Sequence, residues 1–406
     1  MPEPVALKRT LTLPLLTFYG LGTILGAGIY VLVGEVAGLA GMHAPLAFAV
    51  AAVVAAFTAF SYAELAARHP FSAAEAVYVQ EGFGRRGLSM LVGALVLFAA
   101  LASAAALANG FAGYLRLFVG VPSWSAILFV LLALGALAAW GIHESARVAA
   151  AATLIEIGGL LLVVAVSGEG LLALPARLNE LVPPAQTEAW QGIFLAAFVA
   201  FFAFIGFEDM SNVAEEVIEP ERTMPRAIFL ALAVSTALYL LVALAAVLTL
   251  SRDELAGHAA PLALMYEKAT GREPVLIGVI ALFAVTNGAL VLLIRAARVL
   301  HGMSVQGWLP AAFGRVHPAR RTPLLATASV TFATLVLALA LPLALLAKAT
   351  SAAILIVFAL INLALLRIRR RAPAPPGVRS YPPAVPLTGF VLSLLLLVVQ
   401  LTEPGD

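Results

Sequence analysis

Eleven apolar runs spread along a 406-residue chain constrain its fold more than any other feature. They cover roughly 12–40, 45–67, 87–115, 122–141, 147–167, 190–217, 225–250, 273–301, 323–341, 347–367 and 385–402. Each lies near the ~20 residues that a helix needs to cross a bilayer. None alternates with a strand period over the required length, which argues against a barrel. Charged residues make up only 11% of the chain, against about 25% in soluble proteins. The chain therefore reads as an all-α integral membrane protein with about 11 transmembrane helices, in a single membrane domain over 1–406. The first run is too long, and too similar to the later ones, for a cleaved signal peptide.

Two of the runs are interrupted. The first holds Gly20, Gly22, Gly26 and Gly28 within GLGTILGAGIYVLVG, and the sixth holds Gly206 within AFFAFIGFEDMSNVAEEV. Glycine is poor in a helix interior. Irregular backbone is tolerated at membrane depth only where it is buried in protein or lines a cavity. Matched interruptions in two halves of a chain point to a transporter's substrate site. The alternative is close helix packing, since Gly22 and Gly26 form a GxxxG pair. A nucleotide loop is excluded, because the spacing is not GxGxxG and no strand–helix unit surrounds it.

The basic residues set an orientation. With the N-terminus inside, 18 of the 24 Lys and Arg fall in inner segments, Arg295 and Arg298 counted among them, and 6 in outer ones. This is the bias expected of a cytoplasmic face, and an odd number of spans places the C-terminus outside. Most of these residues sit between spans, so the net charge of +2 implies no nucleic-acid partner. Residues 72–84 read as a short inner surface helix and turn, and 252–272 as an outer lid over the pathway. The Pro-rich stretch 372–386 reads as an extended tether. The cluster from Arg367 to Arg371 before it reads as an anchor to inner-leaflet lipids.

A break near Ile24–Gly28 frees two kinds of backbone group. The outer half-helix offers N–H groups and the positive end of its dipole, a carboxylate site. The inner half offers carbonyls, which suit an ammonium group. A second break near Phe204–Gly206 doubles the set. A substrate carrying both charges is an α-amino acid.

Here the sequence resembles the amino acid–polyamine–organocation (APC) superfamily of permeases. GAGIYVLVG matches its first-helix motif, SYAELAARHPFSAAEAVYV the end of its second helix and inner loop, FFAFIGFEDMSNVAEEVIEPERTMPRAI its sixth helix and exit, and ARVLHGMSVQGWLPAAFGRVHPARRTP the loop after its eighth. The resemblance spans nearly the whole chain. It implies the LeuT-type fold of two inverted five-helix repeats with broken helices 1 and 6. Here these would cover about 12–167 and 190–367, with an additional helix at about 385–402. It also implies that N–H groups around Gly26, Ala27 and Gly28 hold the substrate carboxylate. Carbonyls of Ile24, Phe202, Ala203 and Ile205 would hold the ammonium, and Phe202 would be an aromatic gate. By itself Phe202 would be read as core. Many relatives have a hydroxyl where this chain has Ala27, and many have twelve helices.

A carboxylate at membrane depth is a functional candidate by default. Glu156 lies in TLIEIGGLLLVV, where some proton-coupled relatives have Lys and sodium-coupled ones bind sodium. Coupling therefore falls to a proton, with sodium as the alternative. A structural role for Glu156 would be an ion pair with Arg147 or Arg295. Glu208 and Asp209 follow the second break, about 100° apart on a helix, so one faces the pathway, and Glu208 is preferred. Glu64 reads as an i,i+4 partner of Arg68. Asn109, Thr286 and Asn287 are further pocket candidates. The third span has no acid and an Ala-rich middle, which favours a neutral substrate.

The six histidines lie at span ends or in loops without metal-ligand spacing, and cysteine is absent. No cofactor, metal or catalytic triad is implied. The resulting expectation is a secondary-active permease for an L-α-amino acid, proton-coupled and importing. Its competitors are an exchanger, a polyamine permease, and a non-transporting sensor on the same fold.

The orientation is directly testable because there is no native cysteine. Asp406→Cys is expected to react with an impermeant thiol reagent on intact cells, and Arg379→Cys only after permeabilisation. The opposite pattern would disprove both the span count and the direction.

Overall fold

The computed structural model describes residues 9–25, 28–70, 74–140, 146–318, 320 and 322–400. Its helices, in chain order, are α1 (Leu13–Leu25), α2 (Gly28–Ala40), α3 (Ala44–Arg68), α4 (Ala74–Phe83), α5 (Arg86–Leu115), α6 (Ser123–Trp140) and α7 (Ala146–Val166). There follow the short α8 (Gly168–Leu172) and α9 (Leu174–Arg177), then α10 (Thr187–Phe201), α11 (Pro220–Thr249), α12 (Arg252–Leu255) and α13 (Pro261–Thr270). The last are α14 (Val275–Val305), α15 (Leu324–Ala340), α16 (Leu343–Arg371) and α17 (Ala384–Gln400). Taking α1 with α2, and α10 with the turns after it, as interrupted passes, the described residues make eleven passes at the expected places. The one β pairing among them is a bridge between Leu11 and Val217.

Both interruptions are present. The first separates α1 from α2, and its central residues Gly26 and Ala27 lie outside the described residues. The second begins where α10 gives way to a 3-10 turn over Phe202–Phe204, continues through an extended Ile205, and resumes as a 3-10 stretch over Phe207–Glu216. Gly206 sits between with φ 137°, a conformation open to glycine but not to side-chain-bearing residues. A Cβ there would also strike the carbonyl of Thr23.

The interrupted segments are packed inside the bundle. α1 lies against α7 and α11, and α10 lies against α2 and α3. Around them α5 packs on α14 and α16, and α3 on α11. Apolar side chains left exposed cluster on α6 (Trp124, Phe129, Leu132), α15 (Phe332, Val336) and α17 (Leu387, Leu395), the surface a lipid phase would cover.

Three expectations need correction. Residues 74–83 are not a surface helix, because Glu75, Tyr78 and Val79 are buried and Gly82 abuts Ala364 of α16. The basic cluster is not simply a lipid anchor. Arg369 pairs with Glu64, Arg367 lies 4.2 Å from the centre of the Phe83 ring, and Arg371 donates to the Glu81 carbonyl. Arg295, counted among the inner cations, does not mark the inner surface, since it lies within α14 and is largely buried. Removing it from the inner set leaves the charge bias standing.

The Pro-rich tether is held down at one point. Glu64 is wholly buried and pairs with Arg68 at 2.7 Å, as its spacing implies. It also accepts from Arg369, from the Ser380 hydroxyl and from the Tyr381 N–H. The Tyr381 ring then packs on Phe60 and Phe229. The 252–272 segment, expected as a lid, holds α12 and α13, which pack against α2, and α13 also against α7 and α11. Arg252 donates to the Gly38 carbonyl at 2.7 Å, and Gly34 lies against Leu255 and Pro261. Hydrogen bonds from Lys268 and from Ser251 hold the Glu254 carboxyl down to about 2.

Glu64 therefore balances two buried cations. Removing one partner of a buried ion pair costs about 3–5 kcal/mol. Glu64→Ala is expected to lower the thermal midpoint of the purified protein far more than Glu188→Ala at an exposed site. Equal midpoints would show that Glu64 does not secure the inner end.

Candidate functional site

The two interruptions face each other. At the end of α1, the Thr23 hydroxyl reaches the Gly206 carbonyl at 3.0 Å. At the start of α2, Gly28 approaches the turn after α10 so closely that a Cβ would lie 2.9 Å from the Ala203 Cα. Between them stands Tyr239 of α11, fully buried. Its hydroxyl is 2.7 Å from the Ile24 carbonyl and 2.8 Å from the Ala203 carbonyl. The last carbonyls of a helix have no intrahelical partner, so this one hydroxyl serves a carbonyl from each break. The Gly206 N–H is taken by the Glu208 carboxylate at 2.8 Å. Glycines elsewhere in the first cluster serve packing, Gly20 against Met210 and Gly22 against Thr153.

A small cavity of about 80 Å³ opens at this junction. Gly28, Ile24, Phe202, Ile205 and Gly206 border it, as do Thr23 and Ser103. One face of α14 supplies Asn287, Val291 and Arg295 at helical spacing, with Leu292 beside them. Leu107 of α5 completes an apolar side.

Of the expected site residues, Ile24, Gly28, Phe202, Ala203 and Ile205 come together here, and Phe202 is nearly buried in the wall. Gly26 and Ala27 lie outside the described residues. Thr286 turns back on its own helix, and Asn109 ties α5 to the Ala338 carbonyl. Asn287 does reach the cavity, and its amide approaches Glu156 at 3.4 Å. Glu156 is fully buried, and its backbone carbonyl accepts from Tyr30 at 2.6 Å. Two ion pairs were weighed for it, with Arg295 and with Arg147. Arg295 is engaged elsewhere, and the Arg147 side chain is not among those described.

Both acids after the second break meet one cation: Asp209 borders the cavity and pairs with Arg295, and Glu208 lies 3.9 Å from the same guanidinium. Glu208 also folds back onto the Gly206 N–H. Glu75 of α4 is the third acid, at 3.4 Å from Arg295. Burial raises the Glu75 carboxyl more than Arg295 lowers it. Tyr239 and Glu75 were not singled out by sequence reasoning, and Arg295 was named only as an inner cation and as a candidate partner of Glu156. For Arg295 there was a signal, an Arg inside an apolar run. For Tyr239, one of several tyrosines in apolar segments, there was none.

Comparison with known proteins accords with this geometry. Residues 11–406 match the family described as amino acid permease. The chain is 30% identical to the branched-chain amino acid permease of Bacillus subtilis, over 97% of its own length and 88% of the relative's. It is 30% identical to the methylthioribose transporter of Bacillus subtilis, over 91% and 83%. It is 36% identical to an uncharacterised transporter of Mycobacterium tuberculosis, over 82% and 74%.

Because Gly28 meets the Ala203 backbone, the site requires a residue without a side chain there. Gly28→Val is expected to abolish ligand-induced thermal stabilisation while the protein remains helical by circular dichroism. Undiminished stabilisation would place the ligand elsewhere.

Proposed function

The chain belongs to the amino acid permease family, and from that membership we propose that it carries a neutral, apolar L-α-amino acid across the cell membrane by alternating access. It is a multi-pass membrane transporter of the LeuT-type fold, not an enzyme. The observation that carries the substrate assignment is the cavity at the two facing interruptions. N–H groups around Gly26, Ala27 and Gly28 hold the carboxylate, since the first turn of a helix has unpaired donors and a positive dipole end. The Tyr239 hydroxyl has one hydrogen to share between the Ile24 and Ala203 carbonyls, so both oxygens keep lone pairs for the ammonium, with Phe202 and Ile205 beside them. Phe202 closes over the bound molecule as the gate. The side-chain compartment is bounded by Leu107, Val291, Leu292, Phe202 and Ile205. Among the described residues, the charges that border it, Asp209 and Arg295, are paired with each other. The apolar lining of the compartment suits an apolar side chain.

The two inverted repeats cover about 12–167 and 190–367, with an extra helix over about 385–402. The N-terminus is cytoplasmic and the C-terminus outside, in keeping with the distribution of Lys and Arg. Transport is driven by an inward proton gradient, and the buried carboxyls Glu156 and Glu208 carry the coupling. They lie at opposite ends of the cavity. Glu156 is beside Asn287 and Glu208 beside Arg295, eight residues or about 12 Å further along α14. Two conformations with different proton affinities are what allow a gradient to bias transport.

A thermal-shift screen of amino acids is expected to show stabilisation by L-leucine, L-isoleucine or L-valine. Leucinamide and N-acetyl-leucine, each lacking one charge, should give none. Equal stabilisation by either would sink the two-charge site, and stabilisation by methylthioribose alone would redirect the assignment. In proteoliposomes without sodium, Glu156→Gln should keep exchange and lose accumulation under a proton gradient.

A further inference from the structure

Around Arg295 the charges do not balance. One guanidinium, on α14, faces three carboxyl groups: Glu75 from α4, and Glu208 and Asp209 from the 3-10 stretch after the second interruption. Side-chain exposure is 13% for Arg295 and 9% or less for each acid. If all three acids were ionised, the group would carry two uncompensated negative charges away from water. Burial of unpaired charge is costly enough that a carboxyl in such a place keeps its proton instead. The shift of Glu75 is in that direction.

A second observation bears on the same spot. The Tyr62 hydroxyl of α3 is fully buried beside Glu75, Glu208 and Arg295, and has no hydrogen-bond partner among the described residues. Buried hydroxyls are ordinarily satisfied, so an orphan here marks room for a water or a proton carrier next to the acids. The other polar groups facing the cluster are Tyr78 of α4, Ser211 and Asn212 from the 3-10 stretch, and Tyr19 of α1 across the cavity. His69 lies one ring further out, against Tyr78. Arg295 is the one cation among these, and nothing else in the set offsets the excess of acid.

The position links the cluster to the transport cycle. Asp209 and Arg295 border the substrate cavity, whereas Glu75 does not. The three acids belong to two elements, α4 and the second half of the interrupted pass, that are joined to α14 through this guanidinium. We propose that Glu75, Glu208 and Asp209 hold protons in common around Arg295, one of them transported, and that separating α4 and the 3-10 stretch from α14 releases that one to water. The proposal rests on the proton-coupled reading given above and extends it to Glu75, Asp209 and Arg295. The balance is simple: a carboxylate takes a proton from water on one side as the cluster closes, and returns it on the other side as the cluster opens.

The test uses the full-length protein in liposomes containing a pH-sensitive dye, with the membrane potential clamped at zero and L-leucine as the probe. Proton influx and leucine influx are measured together, and their ratio is the readout. In Glu75→Gln the ratio is expected to fall at least tenfold, and Glu75→Asp should restore it with a shifted pH profile. A ratio in Glu75→Gln equal to the parent's overturns the proposal while leaving proton coupling intact. Parent protein that exchanges leucine without moving protons overturns the coupled reading itself, and absence of leucine exchange overturns the transporter assignment, each taking this proposal with it. If Glu75→Gln does not fold, Glu208→Gln is read in the same assay, and an unchanged ratio overturns the proposal.

Discussion

Backbone that leaves a helix at membrane depth must find its hydrogen bonds inside the protein, and the structure is organised around meeting that demand twice. The two interruptions are solved together. Thr23 of the first reaches the carbonyl of Gly206 in the second, and Tyr239 holds one carbonyl from each. Gly28 allows the second half of the first pass to touch the turn after α10, and Gly206 allows the chain to change direction without a clash. The cavity is the space this mutual satisfaction leaves.

The two ends of that cavity differ in kind. At one, the Asn287 amide approaches the Glu156 carboxyl, and the Tyr30 hydroxyl donates to the Glu156 backbone carbonyl. At the other, Arg295 gathers three acids from two separate elements. Both sets are joined to α14, whose cavity face carries Asn287 and Arg295 on one stripe. Polar groups in such a place are costly, and a cost of this kind is retained where the group does work. The proposed division gives the middle of the stripe to the substrate and its ends to the coupling ion.

Away from the cavity, charges close the structure at its margins. Glu64 gathers Arg68, Arg369 and the tether residues Ser380 and Tyr381. On the opposite side the 251–270 segment is fastened to α2 through Arg252. These contacts tie segments distant in sequence to the ends of the broken passes, so the lid and the tether belong to the transport unit.

The number of passes, the two interruptions, and the residues Ile24, Gly28, Phe202, Ala203 and Ile205 at their junction were legible in the sequence. Chain-local rules suffice for the passes and the breaks, since an apolar run of bilayer length has one outcome and glycine in its middle marks a break, whereas Phe202 and its neighbours were named only through the family resemblance. The four separated motifs pointed to the family. Tyr239 could not be found that way, because its role depends on two carbonyls that lie 215 and 36 residues from it along the chain. Arg295 looked like a topological marker until α14 proved to carry it inward, and Glu75 looked like part of a surface helix until α4 proved to be wedged against α16. That Glu208 and Asp209 both meet Arg295 was not legible either, because it depends on α14 lying across the second break. Sequence alone determined where the backbone would break. Which side chains satisfy the breaks, and which charges meet, was decided by packing, because such contacts join groups whose proximity exists only once the helices are assembled.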